Sequence, residues 1–476
     1  MDWIKKIFEQ YEQNIFAVDD ECAEYTYGDI FMYAQRLLGL LNKEGATAVY
    51  TGNSIVFYCA VMAGLFLEQP VYVFHRNFPE SLVERNLKEL HICNVITDEL
   101  SENLVRQYPA NWLEVKNLKS IRRIRNLHWI DSTATDELEK KNLIYIATSG
   151  TTGASKWVCH HIRSILGNMK SMAKRLGITS KDRIHSILPL FTANGLTITF
   201  FLPFVAGASV YLDGIFDPFT IKDYFKNGRK NGVTVLSLIP AVISVLNQIT
   251  SEDTKQKNQI SSFRFAICGT APLHTEDKKR FEHLTGILVY VNYGLTETLF
   301  VSTQCQGFAK DRSSGILLEG VSVLQDKKGR IKVGGSYLMM GEPDKKKIGS
   351  WDTGDLGFVL DHELYITGRD KDRIIINGYN VNPNAVEQWM CSKVYVSEAC
   401  CFGIEKNEKE VLYCALIPAY GFSAEDVRKL VYQDMKEELE AYMHPKILTV
   451  SDIPRNIQGK PLKRELINSI LIRSEI

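Results

Sequence analysis

Apolar positions alternate between two rhythms along most of the chain. Within residues 27–41, Ile30, Phe31, Ala34, Leu37, Leu38 and Leu41 recur at helical spacing, and Gly45 lies just past the end. Residues 46–51 then predict a short strand, 55–67 a largely apolar helix, 70–74 a strand, 82–90 a charged amphipathic helix and 93–97 a further strand. The apolar run at 144–146 predicts a buried strand. Another alternation spans 182–212, followed by a strand over 232–238, a helix through Leu246, and strands over 263–268 and 288–291. Strand and helix taking turns in this way predict right-handed crossovers and a mostly parallel sheet. Such sheets bind ligands in loops at the carboxyl ends of their strands.

From Gly315 the texture changes to short β-like pieces, at 321–325, at 330–333 after Gly329, and at 363–366. A densely charged turn, Arg369-Asp370-Lys371-Asp372-Arg373, follows, and linkers of this kind mark domain boundaries. The expected division is therefore 1–369 and 370–476, the second part a small α+β unit. In it Ser423 to Asp426 cap a helix with Val427, Leu430, Val431 and Leu439 inward, and Pro445 ends it.

Composition narrows the classes. At 476 residues the chain is long enough for more than one domain, and its Lys plus Arg and Asp plus Glu counts balance at 56 each. That balance disfavours nucleic acid as a partner. The ten cysteines include no C-x-x-C pair and sit among apolar residues, as reduced thiols do. The first residues lack the pattern of a secretory signal, so a cytoplasmic setting is expected. The stretch 186–212 carries no charge, yet Pro189, Asn194, Gly195, Pro203 and Gly207 interrupt it. A strand, a loop and a buried helix from near Leu196 are expected there, with no membrane span.

Three of the predicted strands deliver small, polar turns. The strand at 144–146 runs into Thr148, Ser149, Gly150, Thr151, Thr152 and Gly153 and on to Lys156. Glycines let backbone N–H groups converge on an anion, threonine and serine add hydroxyl donors, and lysine adds charge. The spacing is not that of a Walker-type loop, because Ser155 stands in place of the second glycine and Trp157 follows the lysine. The strand at 263–268 ends in Gly269, Thr270, Ala271, Pro272 and Leu273, and that at 288–291 in Asn292, Tyr293, Gly294, Leu295, Thr296 and Glu297. In one parallel sheet these turns would share an edge.

Together with Thr353-Gly354-Asp355, Gly368-Arg369 and Gly459-Lys460, these segments resemble the motifs of the adenylate-forming superfamily, which includes acyl- and aryl-CoA synthetases, peptide-synthetase adenylation domains and beetle luciferase. The resemblance implies an α/β fold: a large N-terminal domain of parallel-sheet αβα subdomains with a small β-rich subdomain, and a small mobile C-terminal domain. It implies ATP-dependent activation of a carboxylic acid as acyl-AMP, with pyrophosphate release, then transfer to the thiol of CoA. Thr148 to Gly153 and Lys156 would hold the β- and γ-phosphates. Glu297 would bind Mg²⁺, a hard cation suited to an oxygen ligand, and Thr296 would touch the α-phosphate. Gly269 to Pro272, Asn292, Tyr293 and Gly294 would border adenine, and Asp355 and Arg369 the ribose. Lys460 would bridge carboxylate and α-phosphate as charge builds. Lys371 would be the hinge, and Gly378, Tyr379 and Asn380 would approach the thiol.

The chain departs from that pattern at Thr192, where many relatives have histidine, and at Trp157 and Arg330. The Phe-Asp pair of α-amino acid activation is missing. The acid pocket is expected along 191–200, near Leu238, and at 266–268 and 295–300, segments whose apolar character suits an apolar acyl or aryl acid and a setting such as fatty-acid metabolism. Two alternatives follow from the same resemblance: a stand-alone ligase loading the phosphopantetheine arm of an acyl carrier protein, and an inactive family member that only binds nucleotide or acyl ligand.

Overall fold

The computed structural model describes residues 2–116, 118, 141–148, 156–216, 221–250, 262–340, 349–376, 379–406, 409–456 and 461–472. Two large sheets carry the first 369 residues. A six-stranded sheet runs, edge to edge, Asn111–Glu114, Ile92–Thr97, Ala46–Tyr50, Val71–Val73, Leu143–Thr148 and Lys156–His161. Its strands are parallel except the last, which returns antiparallel with Thr148 opposite Lys156. Its helices include Ile55–Phe66, buried at every position, which fits its uniformly apolar sequence. Helix Tyr27–Leu38 starts on a capping box: the Thr26 hydroxyl accepts from the Asp29 N–H, and the Asp29 carboxylate accepts from the Thr26 N–H.

The second sheet has thirteen strands. One end is a parallel array in which Ser209–Leu212, Arg183–Ser186, Val235–Leu238, Phe265–Cys268 and Leu288–Leu295 lie side by side. The other end is antiparallel and includes Leu299–Thr303, Ser350–Leu360 and Glu363–Arg369. A single strand joins the two regimes. Its first half, Leu288 to Val291, pairs in parallel with Phe265–Cys268, and its second half, Asn292 to Leu295, pairs antiparallel with Leu299–Thr303. The expected turn at Asn292 to Leu295 is therefore strand, and only Thr296 to Thr298 reverse the chain. Period and composition do not show this, because the polar residues are held by cross-strand hydrogen bonds and not by an apolar face.

The uncharged stretch folds as strand, loop and helix. The helix is continuous in sequence from Ala193 to Ala206, with a π-helical segment at Thr197–Phe201. Pro203 has no N–H, so the carbonyl of Thr199 loses its helical donor. The buried Tyr58 hydroxyl donates to that carbonyl instead, at 3.0 Å. Among the described residues no helix is long and apolar enough to cross a membrane.

After Arg369 the chain passes through a 3₁₀ turn, Asp370–Asp372, into a hairpin, Ile374–Ile376 with Tyr379–Val381, and a three-stranded sheet of Val396–Lys406, Lys409–Pro418 and Lys446–Thr449. Helices Pro383–Cys391, Ala424–Glu438 and Lys463–Ile472 accompany it. Ser423 caps the second as expected, with Val427 and Val431 buried. That helix stops at Glu438 and not at Pro445, because Leu439 is already extended and a short 3₁₀ turn, Ala441–Met443, intervenes. All ten cysteines are free thiols.

Candidate active site

The segments expected to form the site come from two sheets and not from one, and the two sheets approach each other where Lys156 meets Glu297. The phosphate-loop segment belongs to the six-stranded sheet, where it connects a hairpin. Lys156 is the first residue of the return strand, and the Thr148 hydroxyl donates to its carbonyl at 3.2 Å. The Gly269 and Glu297 turns belong to the other sheet. Lys156 links the two, its Nζ 4.0 Å from Glu297 Oε1 and 5.3 Å from the centre of the Trp351 ring. Lys156 is 58% exposed, and a contact of this kind contributes only about 0–1 kcal/mol, so the pair is exchanged for another partner at little loss. Ser149, Gly150, Thr151, Thr152, Gly153, Gly378 and Lys460 lie outside the described residues.

The Thr296–Glu297 reversal is held by its backbone. His160 Nε2 lies 2.6 Å from the Thr296 carbonyl, and the Met339 N–H donates to the Glu297 carbonyl at 2.9 Å. Both side chains remain partly exposed. His160 is fully buried; that burial lowers its pKa to about 4, against the opposing effect of the Thr296 hydrogen bond. The ring is neutral, so its Nε2 carries the proton and donates. The sequence offered no distinct signal for His160, since its strand also carries Lys156 and His161.

Asp355 is the centre of the second cluster. The Tyr293 hydroxyl donates to its Oδ2 at 2.7 Å, and Arg369 Nε donates to its Oδ1 at 2.9 Å. Asp355 and Arg369 are cross-strand partners, and Tyr293 reaches them from the strand that joins the two halves of the sheet. Asp355 is 3% exposed. Burial first, and the Asp355 carboxylate second, push the Tyr293 pKa far above that of an ordinary phenol, so the hydroxyl remains a donor. Each Asp355 carboxylate oxygen already accepts one hydrogen bond. Each carboxylate oxygen has a second lone pair, so the arrangement orients Asp355 and leaves acceptor capacity.

Beside it the Gly269 turn forms a cradle. A Cβ at Gly269 would lie 2.2 Å from Asn292 Oδ1, so only glycine allows the backbone this close. Asn292 is buried, and its Nδ2 has no hydrogen-bond partner. Buried donors are normally satisfied, and an orphaned one beside a bare backbone suits a flat base with ring acceptors. Thr270 has φ +75°, a backbone state rare for a β-branched residue, and such strain gathers at binding sites. Ala271 is half-buried and Pro272 exposed. Gly294 lies in the strand beside Tyr293. These residues fit a nucleotide. Glu297 supplies one carboxylate, in keeping with magnesium that takes its other oxygens from phosphates and water.

Two expectations separate in space. Phe191, Phe200 and Phe300 pack in one core, whereas Leu238, Ala266 and Cys268 pack in another, on the opposite face of the sheet. Strand alternation makes the division, since Phe265 and Ile267 point to the first core and their neighbours to the second. Thr192 acts within its own turn, where its hydroxyl donates to the Pro189 carbonyl and accepts from the Gly195 N–H, capping the Ala193 helix. In the C-terminal part, Lys371 is exposed in the 3₁₀ turn, and the Tyr379 ring, 58% exposed, stacks on Tyr442 at 4.7 Å. Asn380 pairs with Ile375 in the hairpin. Among the described residues no hydrogen bond or ion pair joins Tyr379 to the Asp355 cluster. Arg455 and Pro461, which flank the Lys460 segment, form an antiparallel bridge.

A doubly sheeted α/β body with an oriented acid, a cradle for a base and a lysine–glutamate pair at the sheet junction defines a nucleotide-binding enzyme with a small appended α+β unit. Residues 5–341 match the family model of the AMP-binding enzymes, and the chain belongs to that family. It is 26% identical to a 2-succinylbenzoate–CoA ligase of Lactococcus lactis, over 98% of this chain and 100% of the relative. It is 30% identical to a 3-[(3aS,4S,7aS)-7a-methyl-1,5-dioxo-octahydro-1H-inden-4-yl]propanoyl:CoA ligase of Rhodococcus jostii, over 67% of this chain and 63% of the relative. Among solved structures its fold resembles o-succinylbenzoate CoA synthetase from Bacillus subtilis in complex with an acyl-adenylate intermediate, with TM-score 0.80, 23% identity, and coverage of 98% of this chain and 97% of that one. It also resembles ATP-bound MatB from Rhodopseudomonas palustris, with TM-score 0.84, 21% identity and 98% coverage of both.

Proposed function

We propose that this enzyme is an AMP-forming, ATP-dependent acid–CoA ligase. The observation that carries the reading is the joint placement of Asp355, Tyr293 and Arg369 with the Asn292–Gly269 cradle, a constellation suited to a nucleoside, beside Lys156 and Glu297, a pair suited to its phosphates. Full-length relatives named as CoA ligases support the second step. A carboxylate is a poor acyl donor, and joining it to AMP supplies a good leaving group. The barrier is the approach of one anion to another, which positive charge and positioning lower.

In this reading Ser149 to Gly153, Thr148 and Lys156 hold the β- and γ-phosphates, with Glu297 on magnesium and Thr296 near the α-phosphate. Asn292 and the Gly269 to Pro272 turn border adenine, with Tyr293 and Gly294 beside them. Asp355 takes the ribose hydroxyls, while Arg369 orients it. Residues 370–476 form the mobile domain, which turns at Lys371 to exchange Lys460 for Gly378, Tyr379 and Asn380 between the two steps. The names of several relatives point to aryl acids, so aromatic acids lead the substrate panel and fatty acids form its second arm.

The test has two parts. Pyrophosphate release is measured over that panel, and thioester formation is compared with free CoA and with a holo-carrier protein. Lys460→Ala is then expected to slow pyrophosphate release by about 10²–10³ while sparing thioester formation from preformed acyl-adenylate. Equal loss in both half-reactions would reject the role given to Lys460.

A further inference from the structure

His75 has no assigned part in the reaction, yet it lies where the two sheets meet. The Val71–Val73 strand pairs in parallel with Leu143–Thr148, Val73 opposite Ile146. The strand ends at Val73, and His75 follows two residues past its carboxyl end. The imidazole packs 4.3 Å from the ring of Phe191 and 5.1 Å from that of Phe78. Phe191 comes from the other sheet, past the carboxyl end of Arg183–Ser186. Asn53 fixes the meeting: its Nδ2 donates to the Leu188 carbonyl at 2.9 Å, and the Leu190 N–H donates to its Oδ1 at 2.8 Å. His75 thus bridges the carboxyl ends of two parallel arrays, where open α/β sheets hold ligands.

The state of the ring is also set. The Asn77 N–H donates to His75 Nδ1 at 3.2 Å, which leaves the proton on Nε2. Burial lowers the pKa to about 4, so the ring is neutral near pH 7. Among the described residues no group accepts from Nε2, and the side chain is only half-buried. A directional donor without net charge, set between two aromatic faces, suits an oxygen on an apolar acid better than a polyphosphate.

We propose that His75 is a specificity-determining residue of the acid site, its Nε2–H donating to an oxygen of the carboxylic acid while the apolar body of that acid lies against the partly exposed Phe78, with the buried Phe191 backing the imidazole. The proposal rests on the acid-ligase reading. Its test uses the full-length enzyme and an acid that the wild type activates, with kcat and the KM of acid and of ATP measured for wild type, His75→Leu and His75→Gln. His75→Leu keeps bulk without the donor and is expected to raise the acid KM about tenfold, the loss of one hydrogen bond, with the ATP KM unchanged. His75→Gln restores an N–H and is expected to recover most of that loss. Equal loss in both variants would make His75 a packing residue, a rise in the ATP KM would place it on the nucleotide, and an unmoved acid KM would remove it from the site; each overturns the proposal. A wild type that releases no pyrophosphate with any acid overturns the ligase reading itself, a result separable from the other three.

Discussion

Tyr293→Phe isolates one bond at the centre of the site. The substitution keeps the ring, and with it any surface offered to the base, and removes only the hydroxyl that donates to Asp355 at 2.7 Å. Asp355 is buried but keeps Arg369 at 2.9 Å, so the carboxylate is not left uncompensated. The loss is therefore that of one hydrogen bond to a charged group, about 1.5–3 kcal/mol, and not the larger penalty of an orphaned buried charge. That loss is expected in full in the unfolding free energy, read from urea titration. If Asp355 grips the ribose, loosening its orientation carries part of the same loss into binding. Since 1.36 kcal/mol corresponds to a factor of ten, the ATP affinity, measured by calorimetry, should fall roughly tenfold. A stability loss with unchanged ATP affinity would refute the link from Tyr293 through Asp355 to the nucleotide. An unchanged unfolding midpoint would refute the bond.

Three further outcomes are expected. His160 has a folded pKa of about 4, below its unfolded value, so its contribution to stability is present above pH 6.5 and lost as pH falls toward 4; unfolding free energies across that window should drop by about 3 kcal/mol more in wild type than in His160→Gln. Tyr58→Phe leaves the Thr199 carbonyl without a donor opposite Pro203 and should lower stability by about 1–3 kcal/mol in urea unfolding, where a neutral result would mean that water replaces the hydroxyl. Gly195→Ala sets a Cβ 2.0 Å from the Pro189 carbonyl oxygen, so the Thr192-capped turn must move; a loss of about 1–3 kcal/mol or more is expected by thermal unfolding, and wild-type stability would show that the turn yields freely.

The linear sequence determined the periodic elements. Helix 27–41 and strand 46–51 appear at Tyr27–Leu38 and Ala46–Tyr50, because an amphipathic stripe, a capping box and a run of apolar residues act over a few neighbouring positions. It also marked the small-residue turns and the AMP-binding family, since glycine spacing and hydroxyl clusters are local. Tertiary structure decided what those turns do together. Two sheets, not one, bring Lys156 to Glu297, and a strand that changes from parallel to antiparallel pairing carries Tyr293 to Asp355. The buried state of His160 and the place of His75 beside Phe191 likewise depend on partners 136 and 116 positions away. Burial and pairing across such separations are properties of the packed chain, and no periodicity in the sequence encodes which distant carbonyl or carboxylate a side chain will meet.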